Sequence, residues 1–186
     1  PPHPPIKISE LETPRLILRA WKEQDWPEFA RINSDPEVMK FYPSILSTDE
    51  SNELADKITT RMTSLGWGFW ALEVKASSQF VGFVGLNTPG YELPVNPCTE
   101  IGWRLARSYW GMGYATEAGQ AALNYGFTQL RLTTIYALAS VTNTRSINVM
   151  SRLGMTNTNQ NFDHPIIPAG HKLSEHVLYK ISTSSD

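Results

Sequence analysis

The nine residues WGMGYATEA, from Trp110 to Ala118, have the composition of a phosphate-binding turn. Two glycines flank a single residue, and an alanine-rich stretch with helical character follows directly. Amides in the first turn of a helix are unpaired and lie at the positive end of the helix dipole, so they bind anions. Glycine lacks the Cβ that would keep a phosphate away from the backbone. The stretch therefore predicts either a phosphate cradle or a plain tight turn before a helix.

Two common nucleotide-binding loops do not fit this turn. A Walker loop requires Gly-Lys followed by Ser or Thr, whereas Tyr114 follows Gly113. The dinucleotide-binding fingerprint requires a third glycine, and Thr116 occupies that position. It also requires an acidic residue at the end of the next strand, about 20 residues later, and none is there. A shorter connection from a strand to a helix remains, whose free amides bind a pyrophosphate.

The elements around the turn follow from hydrophobic periodicity and from helix-end signals. We expect Asp25 to cap one helix, the STDE sequence at Ser47 to open a second as a capping box, and Gly154 to close a third. The predicted strands cover residues 15–20, 68–75, 79–87, 100–105, 133–140 and a run from 176, and the predicted helices cover 25–32, 47–65, 114–130 and 145–153. The fold class is α+β, with a mixed, mostly antiparallel sheet flanked by helices in the order β-α-α-β-β-β-α-β-α-β.

The composition indicates a single domain, which we place at residues 11–181, between a proline-rich lead (1–10) and a tail (182–186) that we expect to be disordered. The net charge of −2, without a long Lys/Arg run, argues against a nucleic-acid partner. No run reaches the roughly 18 apolar residues that span a bilayer, so we expect no membrane partner. Cys98 is the only cysteine, which excludes an internal disulfide and leaves a cytoplasmic location as the default.

Four sequence segments, taken in order, resemble the GNAT acyltransferase superfamily, and in particular its branch of RimJ/RimL-type N-acetyltransferases. They are LETPRLILRAW, FVGFVGL, the stretch EIGWRL with WGMGYATEA after it, and NTRSINVMSRLGM. The resemblance implies an enzyme that uses acetyl-CoA as co-substrate and needs no metal. The acetyl acceptor would be a primary amine, either a protein N-terminus or a small molecule.

The resemblance also implies which residues bind the cofactor. The strand EIGWRL would pair with the pantetheine arm through its backbone, as an added strand does, and the glycine turn would bind the pyrophosphate. The residues concerned are Ile101, Trp103, Arg104 and Leu105 for pantetheine, and Gly111, Met112, Gly113, Tyr114, Ala115 and Thr116 for the pyrophosphate. The superfamily signature begins with Gln or Arg, whereas this chain has Ser108 there, with Arg107 one residue earlier.

Asn143 and Ser146 precede the last predicted helix and carry two alternative roles each. By resemblance, Asn143 bonds to the pantetheine arm, but an asparagine at this place is equally suited to cap the helix. Ser146 would bind the cofactor and protonate the departing thiolate, or be a solvated serine of the first turn. Arg145 would reach the adenosine phosphate or lie in water.

The implied chemistry is direct attack of the amine on the thioester, which requires a base for the amine proton. Glu100, at the start of EIGWRL, is the first candidate, acting through water; its alternative role is a solvated carboxylate at the sheet edge. Asp163 and His164 are the second candidates, since a histidine needs little tuning to serve as a base. A backbone amide of the same strand as Glu100 would stabilise the oxyanion.

The acceptor and the assembly state remain open in the sequence. Aromatic residues could wall the acceptor pocket, namely Phe41, Tyr42, Trp67 and Trp70. Four acids on the second helix (Asp49, Glu50, Glu53 and Asp56) would suit a cationic acceptor, or merely a solvated helix start. The alternative functions are a non-catalytic module that senses acyl-CoA and an interaction domain without a CoA site. We expect a monomer or a homodimer.

Overall fold

The computed structural model describes residues 6–183, so residues 1–5 of the predicted lead and 184–186 of the predicted tail lie outside the described part. The four helices of this part are α1 (Asp25–Asn33), α2 (Thr48–Leu65), α3 (Tyr114–Thr128) and α4 (Thr144–Arg152). Its strands are β1 (Leu11–Glu12), β2 (Leu16–Arg19), β3 (Phe69–Val74), β4 (Gln79–Asn87), β5 (Glu100–Leu105), β6 (Thr134–Ser140), β7 (Thr156–Asn157), β8 (Phe162–Asp163) and β9 (Glu175–Ser182). The predicted α+β order is confirmed, and the two-residue strands β1, β7 and β8 are additions to it.

One sheet contains all nine strands, in the order β1-β2-β3-β4-β5-β6-β9-β7 with β8 also paired to β9. Every neighbouring pair is antiparallel except β5 and β6, which run parallel. These two central strands share a single Cα pair, Glu100 with Tyr136. β5 and β6 are therefore joined at the start of β5, and a gap separates them toward their C-terminal ends.

Local signals in the sequence determine where α2 begins and ends. The Ser47 side chain accepts a hydrogen bond from the Glu50 amide, and the Glu50 carboxylate accepts one from the Ser47 amide, which is the predicted capping box. Gly66 ends the helix with a φ of 83°, a left-handed conformation that glycine adopts without strain. Leu54, Ile58 and Met62 of α2 pack against the core at helical spacing, whereas Leu65 is 43% exposed.

The predicted cap of α1 is wrong. The N-cap residue is Gln24, which makes no side-chain cap, and Asp25 is the first helical residue. The Asp25 carboxylate instead binds the Arg19 guanidinium, at 2.8 and 3.0 Å, and accepts the Lys22 amide at 2.8 Å. Arg19 also pairs with Glu73 at 2.9 Å. Because all three side chains are largely buried, Asp25 attaches α1 to β2 and β3 rather than capping its own helix.

The two faces of the sheet carry different helices. On one face, α3 presents small residues, and a Cβ on its Gly126 would lie 2.7 Å from the Ile135 side chain. On the other face, α1 contributes Phe29, which packs edge-on against Phe83 with ring centroids 6.0 Å apart. In the part of the chain that the structure describes, no helix has the length and apolarity needed to span a membrane.

Candidate functional site

The gap between β5 and β6 leaves backbone groups of β5 without a partner strand. The Ala106 amide donates to the Val81 carbonyl at 2.9 Å, on the β4 side of the strand. Since the backbone groups of successive strand residues point to opposite sides, those of Ile101, Trp103 and Leu105 point toward β6. The indole nitrogen of Trp110 already donates to the Leu105 carbonyl at 3.0 Å. Trp103, beyond the single β5–β6 pair, is therefore best placed to pair with an extended ligand.

A cleft of about 1030 Å³ occupies this gap and its mouth. Four segments line most of it: residues 103–105 of β5, residues 109–117 around the glycine turn, residues 143–146 at the start of α4, and Val38, Phe41 and Tyr42 from the connection between α1 and α2. Every predicted cofactor-binding residue lies in its wall except Ile101, whose side chain is in the core.

Ser108 and Arg107, where the sequence departs from the superfamily signature, do not line this cleft. They form a 3-10 turn (Arg107–Tyr109) and face a separate depression of about 1000 Å³ beside α1. Both side chains are exposed. Neither Ser108 nor Arg107 therefore contributes its side chain to the cleft.

The glycine turn presents a row of free amides to the cleft. Gly111 and Gly113 have φ angles of 77° and 79°, so both adopt the left-handed conformation that favours glycine. Gly113 is the N-cap of α3 and provides no side-chain cap. The first intrahelical bond runs from the Glu117 amide to the Gly113 carbonyl at 3.0 Å. Within residues 6–183, the amides of residues 112–116 donate to no protein acceptor, which is the geometry of an anion cradle.

Arg15 is a cleft residue that the sequence analysis missed. Its Nε donates to Glu117 Oε1 at 2.8 Å, and its backbone amide donates to Glu117 Oε2 at 3.0 Å. The Thr13 hydroxyl also donates to Oε2, at 2.6 Å. The guanidinium carbon lies 4.6 Å from the centroid of the Tyr114 ring, and Nη2 lies 3.4 Å from where a Cβ on Gly113 would be. Arg15 thus offsets the charge of Glu117 and places a cation beside the free amides.

The pKa of the Glu117 carboxyl reflects these contacts. Partial burial raises it, but the hydrogen bonds from Thr13 and Arg15 outweigh that effect and bring it below its ordinary value. Glu117 is therefore ionised at neutral pH and remains paired with Arg15. No local pattern in the sequence relates Arg15 to Glu117, because the two residues are 102 positions apart.

The start of α4 forms the opposite wall of the cleft. The Asn143 side chain accepts the Ser146 amide at 3.2 Å, so Asn143 caps the helix, as one of its two predicted roles requires. The Arg145 guanidinium stacks on the Trp110 ring, 3.3 Å from its centroid. Burial lowers the pKa of Arg145, and the charge of Glu37 partly opposes that shift. Arg145 therefore lines the cleft beside Trp110, with its side chain still exposed to water.

Glu100 lies at the closed end of the gap and is not a solvated edge carboxylate. It is 8% exposed, and its Oε1 accepts a hydrogen bond from Asn87 Nδ2 at 2.9 Å. Burial raises the pKa of the Glu100 carboxyl, while the Asn87 hydrogen bond and the nearby Arg61 charge act in the opposite direction. The same carboxylate, together with burial, raises the pKa of the neighbouring Tyr91 and Cys98 side chains. A buried carboxyl with a raised pKa has the character of a general base.

His164 and Asp163, the alternative bases, occupy a separate cluster. The His164 ring lies between those of Tyr91 and His176, with centroid distances of 4.6 and 4.9 Å. Burial and the neighbouring His176 lower the pKa of His164 to about 4, so it is neutral at pH 7. Its Nδ1 already accepts the Ile166 amide at 3.2 Å. Asp163 accepts the Ser174 hydroxyl at 3.3 Å, and neither residue lines the cleft.

The predicted acceptor walls divide into two groups. Phe41 and Tyr42 line the cleft, whereas Trp67 and Trp70 do not, and Trp70 is fully buried in the core with its indole bonded to the Ser9 carbonyl at 2.8 Å. The four acids of α2 also lie outside the cleft lining. In residues 6–183, no three His, Cys, Asp or Glu side chains are grouped in a way that could hold a metal ion.

Known proteins are similar to this chain in sequence and in fold. Residues 15–156 match the sequence profile of the acetyltransferase (GNAT) domain family. The N-acetyltransferase p20 of Bacillus licheniformis, itself uncharacterised, is 33% identical over 148 residues, which cover 78% of this chain and 82% of p20. The crystal structure of a GNAT-family acetyltransferase from Bacillus anthracis superposes with a TM-score of 0.77 at 26% identity, covering 94% of this chain and 98% of that one.

Structures named for different acceptors superpose about equally well. A spermidine N-acetyltransferase from Vibrio cholerae, in complex with CoA and spermine, has a TM-score of 0.70 at 23% identity, over 90% of this chain and 95% of that one. RimL, a ribosomal L7/L12 N-acetyltransferase in complex with CoA, has a TM-score of 0.74 at 17% identity, over 96% and 100% of the two chains. These likenesses show the fold alone, and RimL is one of several proteins that share it. From the sequence profile and the fold together, the chain belongs to the GNAT acetyltransferase family.

Proposed function

We propose that this protein is an acetyl-CoA-dependent N-acetyltransferase that acetylates a primary amine by direct attack within a ternary complex. The observation that carries the proposal is the row of free amides at residues 112–116, which opens into the same cleft as the unpaired edge of β5. An anion site and an unpaired strand edge in one cleft suit a ligand that has a pyrophosphate at one end and an amide-containing arm.

The residues of the cleft fit the parts of CoA in a consistent order. The amides of residues 112–116 would bind the pyrophosphate, with the Arg15 guanidinium beside them. Trp103 would pair with the pantetheine arm through its backbone, and Leu105 contributes less because Trp110 already uses its carbonyl. Asn143 and Ser146 line the facing wall. The arm would then run along β5 toward the closed end of the gap, where Glu100 lies.

Acetyl-CoA supplies an acetyl group activated as a thioester, and the protein supplies position and proton transfer. A bond forms between the acceptor nitrogen and the acetyl carbon, the carbon–sulfur bond breaks, and the nitrogen loses a proton. Glu100 would take that proton through water, since its raised pKa makes it a stronger base than an exposed carboxylate. The departing sulfur needs a proton in return, and the Ser146 hydroxyl is the candidate donor.

The position of Ser146 favours cofactor binding over proton donation. Ser146 follows the end of β6, whereas Glu100 pairs with Tyr136 near the start of that strand. The last residue of β6 lies four positions after Tyr136, which corresponds to roughly 13 Å along a strand. Ser146 therefore lies nearer the amide cradle than the closed end of the gap, so Ser146→Ala should raise KM for acetyl-CoA more than it lowers kcat.

A non-catalytic acyl-CoA sensor is the second candidate, favoured by the burial of Glu100. Glu100 is 8% exposed and lies outside the cleft lining, so a water molecule or a small rearrangement must connect it to the acceptor. A sensor would bind acetyl-CoA and release no thiol when amines are added. An enzyme would release thiol only when a suitable amine is present.

Thermal unfolding and thiol release together separate the candidates. A ligand at 100 times its Kd stabilises the folded state by about 2.7 kcal/mol, which for a chain of this size is a rise in Tm of roughly 5–11 °C. Stabilisation by acetyl-CoA with amine-dependent thiol release supports the enzyme. Stabilisation without turnover on a broad panel of amines and peptides supports the sensor, and no stabilisation contradicts both.

A further inference from the structure

Arg104 is a charged residue in the cleft wall whose side chain faces away from the amide cradle. It occupies β5 opposite Phe83 of β4, so the two side chains share the face of the sheet that α1 covers. The guanidinium carbon lies 4.5 Å from the Tyr42 ring centroid and 5.5 Å from that of Phe83. Its Nη1 donates to Asn33 Oδ1 at 2.9 Å. The guanidinium is thus held in a defined place by two aromatic faces and one amide.

This guanidinium has more donors than the protein satisfies. Arginine carries five N–H donors, and Arg104 Nε is buried without a hydrogen-bond partner among the described residues. Arg15, Arg19 and Arg31 each pair with a carboxylate, whereas Arg104 forms no ion pair within residues 6–183. A buried donor without an acceptor is destabilising. A held cation with an unused donor in a cleft wall is the arrangement expected of a site for an anion.

The charges of the cleft as a whole favour anionic ligands over cationic ones. Four arginines line the cleft (Arg15, Arg104, Arg145 and Arg152), against the single carboxylate of Glu117, which Arg15 already binds. The acids of α2 are outside the cleft, and Glu50 is engaged in its capping box. A polycationic acceptor would therefore meet repulsion here without a compensating carboxylate.

We propose that Arg104 binds a carboxylate of the acceptor, so that the acceptors of this enzyme are amines that also carry an acidic group. This inference rests on the proposed acetyltransferase function. Arg15 and the amides of α3 serve the phosphates of CoA from the other face of the sheet, which leaves Arg104, with Phe41 and Tyr42 beside it, on the acceptor side. Guanidinium and carboxylate form two parallel hydrogen bonds, which fixes the orientation of the acceptor as well as its affinity.

The spacing on β5 relates the two ends of such an acceptor. Glu100 and Arg104 lie on the same face of the strand because they are four residues apart, roughly 13 Å between Cα atoms. The acceptor amine would lie at the Glu100 end and its carboxylate at the Arg104 end. Two sources supply that chemistry: an acidic side chain near the N-terminus of a peptide, and a small molecule whose amine and carboxylate are separated by a chain of several atoms.

The test compares acceptors that differ only in the carboxylate, with the full chain at saturating acetyl-CoA. One arm uses the peptide pair Ser-Glu-Ala-amide and Ser-Gln-Ala-amide, and the other uses 6-aminohexanoate and 8-aminooctanoate, each against its own amide. In one of the two arms, we expect kcat/KM for the acidic acceptor to exceed that for its amide by about 10- to 100-fold, which corresponds to the energy of one charge-assisted hydrogen bond. The arm that shows the preference identifies the source of the carboxylate.

Variants connect the preference to Arg104. Arg104→Gln should reduce the ratio of kcat/KM for the acid to kcat/KM for the amide to near one. Arg104→Lys should keep part of this preference, because lysine retains the positive charge but cannot form the two parallel hydrogen bonds of a guanidinium. Lys180→Gln is the matched control, since it removes one positive charge at an exposed position of β9 and should leave the ratio unchanged. The wild-type ratio is informative even if Arg104→Gln does not fold.

The proposal is overturned if wild-type protein turns over amides as well as acids in both arms, or if Arg104→Gln keeps the wild-type ratio. It is also overturned if Arg104→Gln raises only the KM for acetyl-CoA, because Arg104 would then serve the cofactor. Absence of product with every amine, acidic or neutral, would instead contradict the acetyltransferase function itself.

Discussion

Replacing Glu100 with glutamine tests the proposed general base with little change in shape. Glutamine retains the side-chain oxygen that accepts the Asn87 hydrogen bond at 2.9 Å, but it cannot take up the amine proton. A positioned general base contributes typically about 100- to 10,000-fold to a rate. At about 1.36 kcal/mol for each factor of ten, that is about 3–5 kcal/mol of transition-state stabilisation. We therefore expect Glu100→Gln to lower kcat by at least about 100-fold.

The pH dependence gives an independent measure of the same group. Burial raises the pKa of Glu100 above its ordinary value of 4.5, and the carboxylate is the active form. Activity of the wild type should therefore fall as the pH falls through this raised pKa, and Glu100→Gln should lack that limb. The free energy of unfolding depends on pH in the opposite direction. Between the pKa of Glu100 in the unfolded state and its raised pKa in the folded state, the folded state binds more protons, so the protein becomes less stable as the pH rises through that window. At pH 8, Glu100→Gln should have a Tm equal to or above that of the wild type.

The assay measures initial rates of thiol release from acetyl-CoA between pH 5 and 9, with a Tm at each pH. Glu53→Gln is the matched control because Glu53 is an exposed acid of α2 outside the cleft, and its rates should follow those of the wild type. The reasoning is refuted if Glu100→Gln retains kcat within about threefold of the wild type, or if its acid limb persists. A large loss of Tm would show that the substitution disrupts the fold rather than removing a base.

Three further substitutions test the cofactor site and the fold. Arg15→Gln should weaken CoA binding by about 10- to 100-fold in calorimetry, since it removes a charge-assisted contact to phosphate. Turnover of the phosphate-free thioester N,S-diacetylcysteamine, whose amine is blocked, should fall much less, and equal losses would contradict a phosphate contact. Gly85→Ala should lower the free energy of unfolding, measured in urea, by about 1–3 kcal/mol or more, because its Cβ would lie 2.0 Å from the backbone carbonyl oxygen of Gly68. Gly90→Ala, with open space around the added Cβ, should leave the stability unchanged. Asp25→Ala should cost about 1–3 kcal/mol or more, because the buried Arg19 guanidinium loses one of its two carboxylate partners and keeps only Glu73. Glu28→Ala, which breaks an exposed ion pair, should stay within about 1 kcal/mol. Similar losses of stability in the two variants would refute the importance of burial.

Features determined by neighbouring residues could be predicted from the sequence. The capping box of Ser47 and Glu50 and the left-handed glycine at 154 involve residues within one turn of the helix, and both were predicted correctly. The glycine turn is also local, since α3 begins directly after it, and the positive φ angles of Gly111 and Gly113 are conformations that glycine adopts without strain. The two-residue strands were missed, since two residues carry no periodicity.

Features that depend on distant contacts could not be predicted. Asp25 has the residue type of a helix cap, and only the fold shows that its carboxylate binds Arg19 instead. Arg15 acquires its place beside the amide cradle through Glu117, 102 residues later. The burial of Glu100 could not be predicted either, because an acidic residue at the start of a strand can face either water or the protein interior.

The most direct test of the account is a product assay with acetyl-CoA and an amine acceptor, read by mass spectrometry alongside thiol release. We expect an acetylated amine to form in equal amount to free CoA, and only when an acceptor is present. Gly113→Val should abolish this product, because a Cβ at this position strains the left-handed N-cap and enters the cradle. Acetyl-CoA that binds in the cleft but yields no acetylated amine with any acceptor would contradict it.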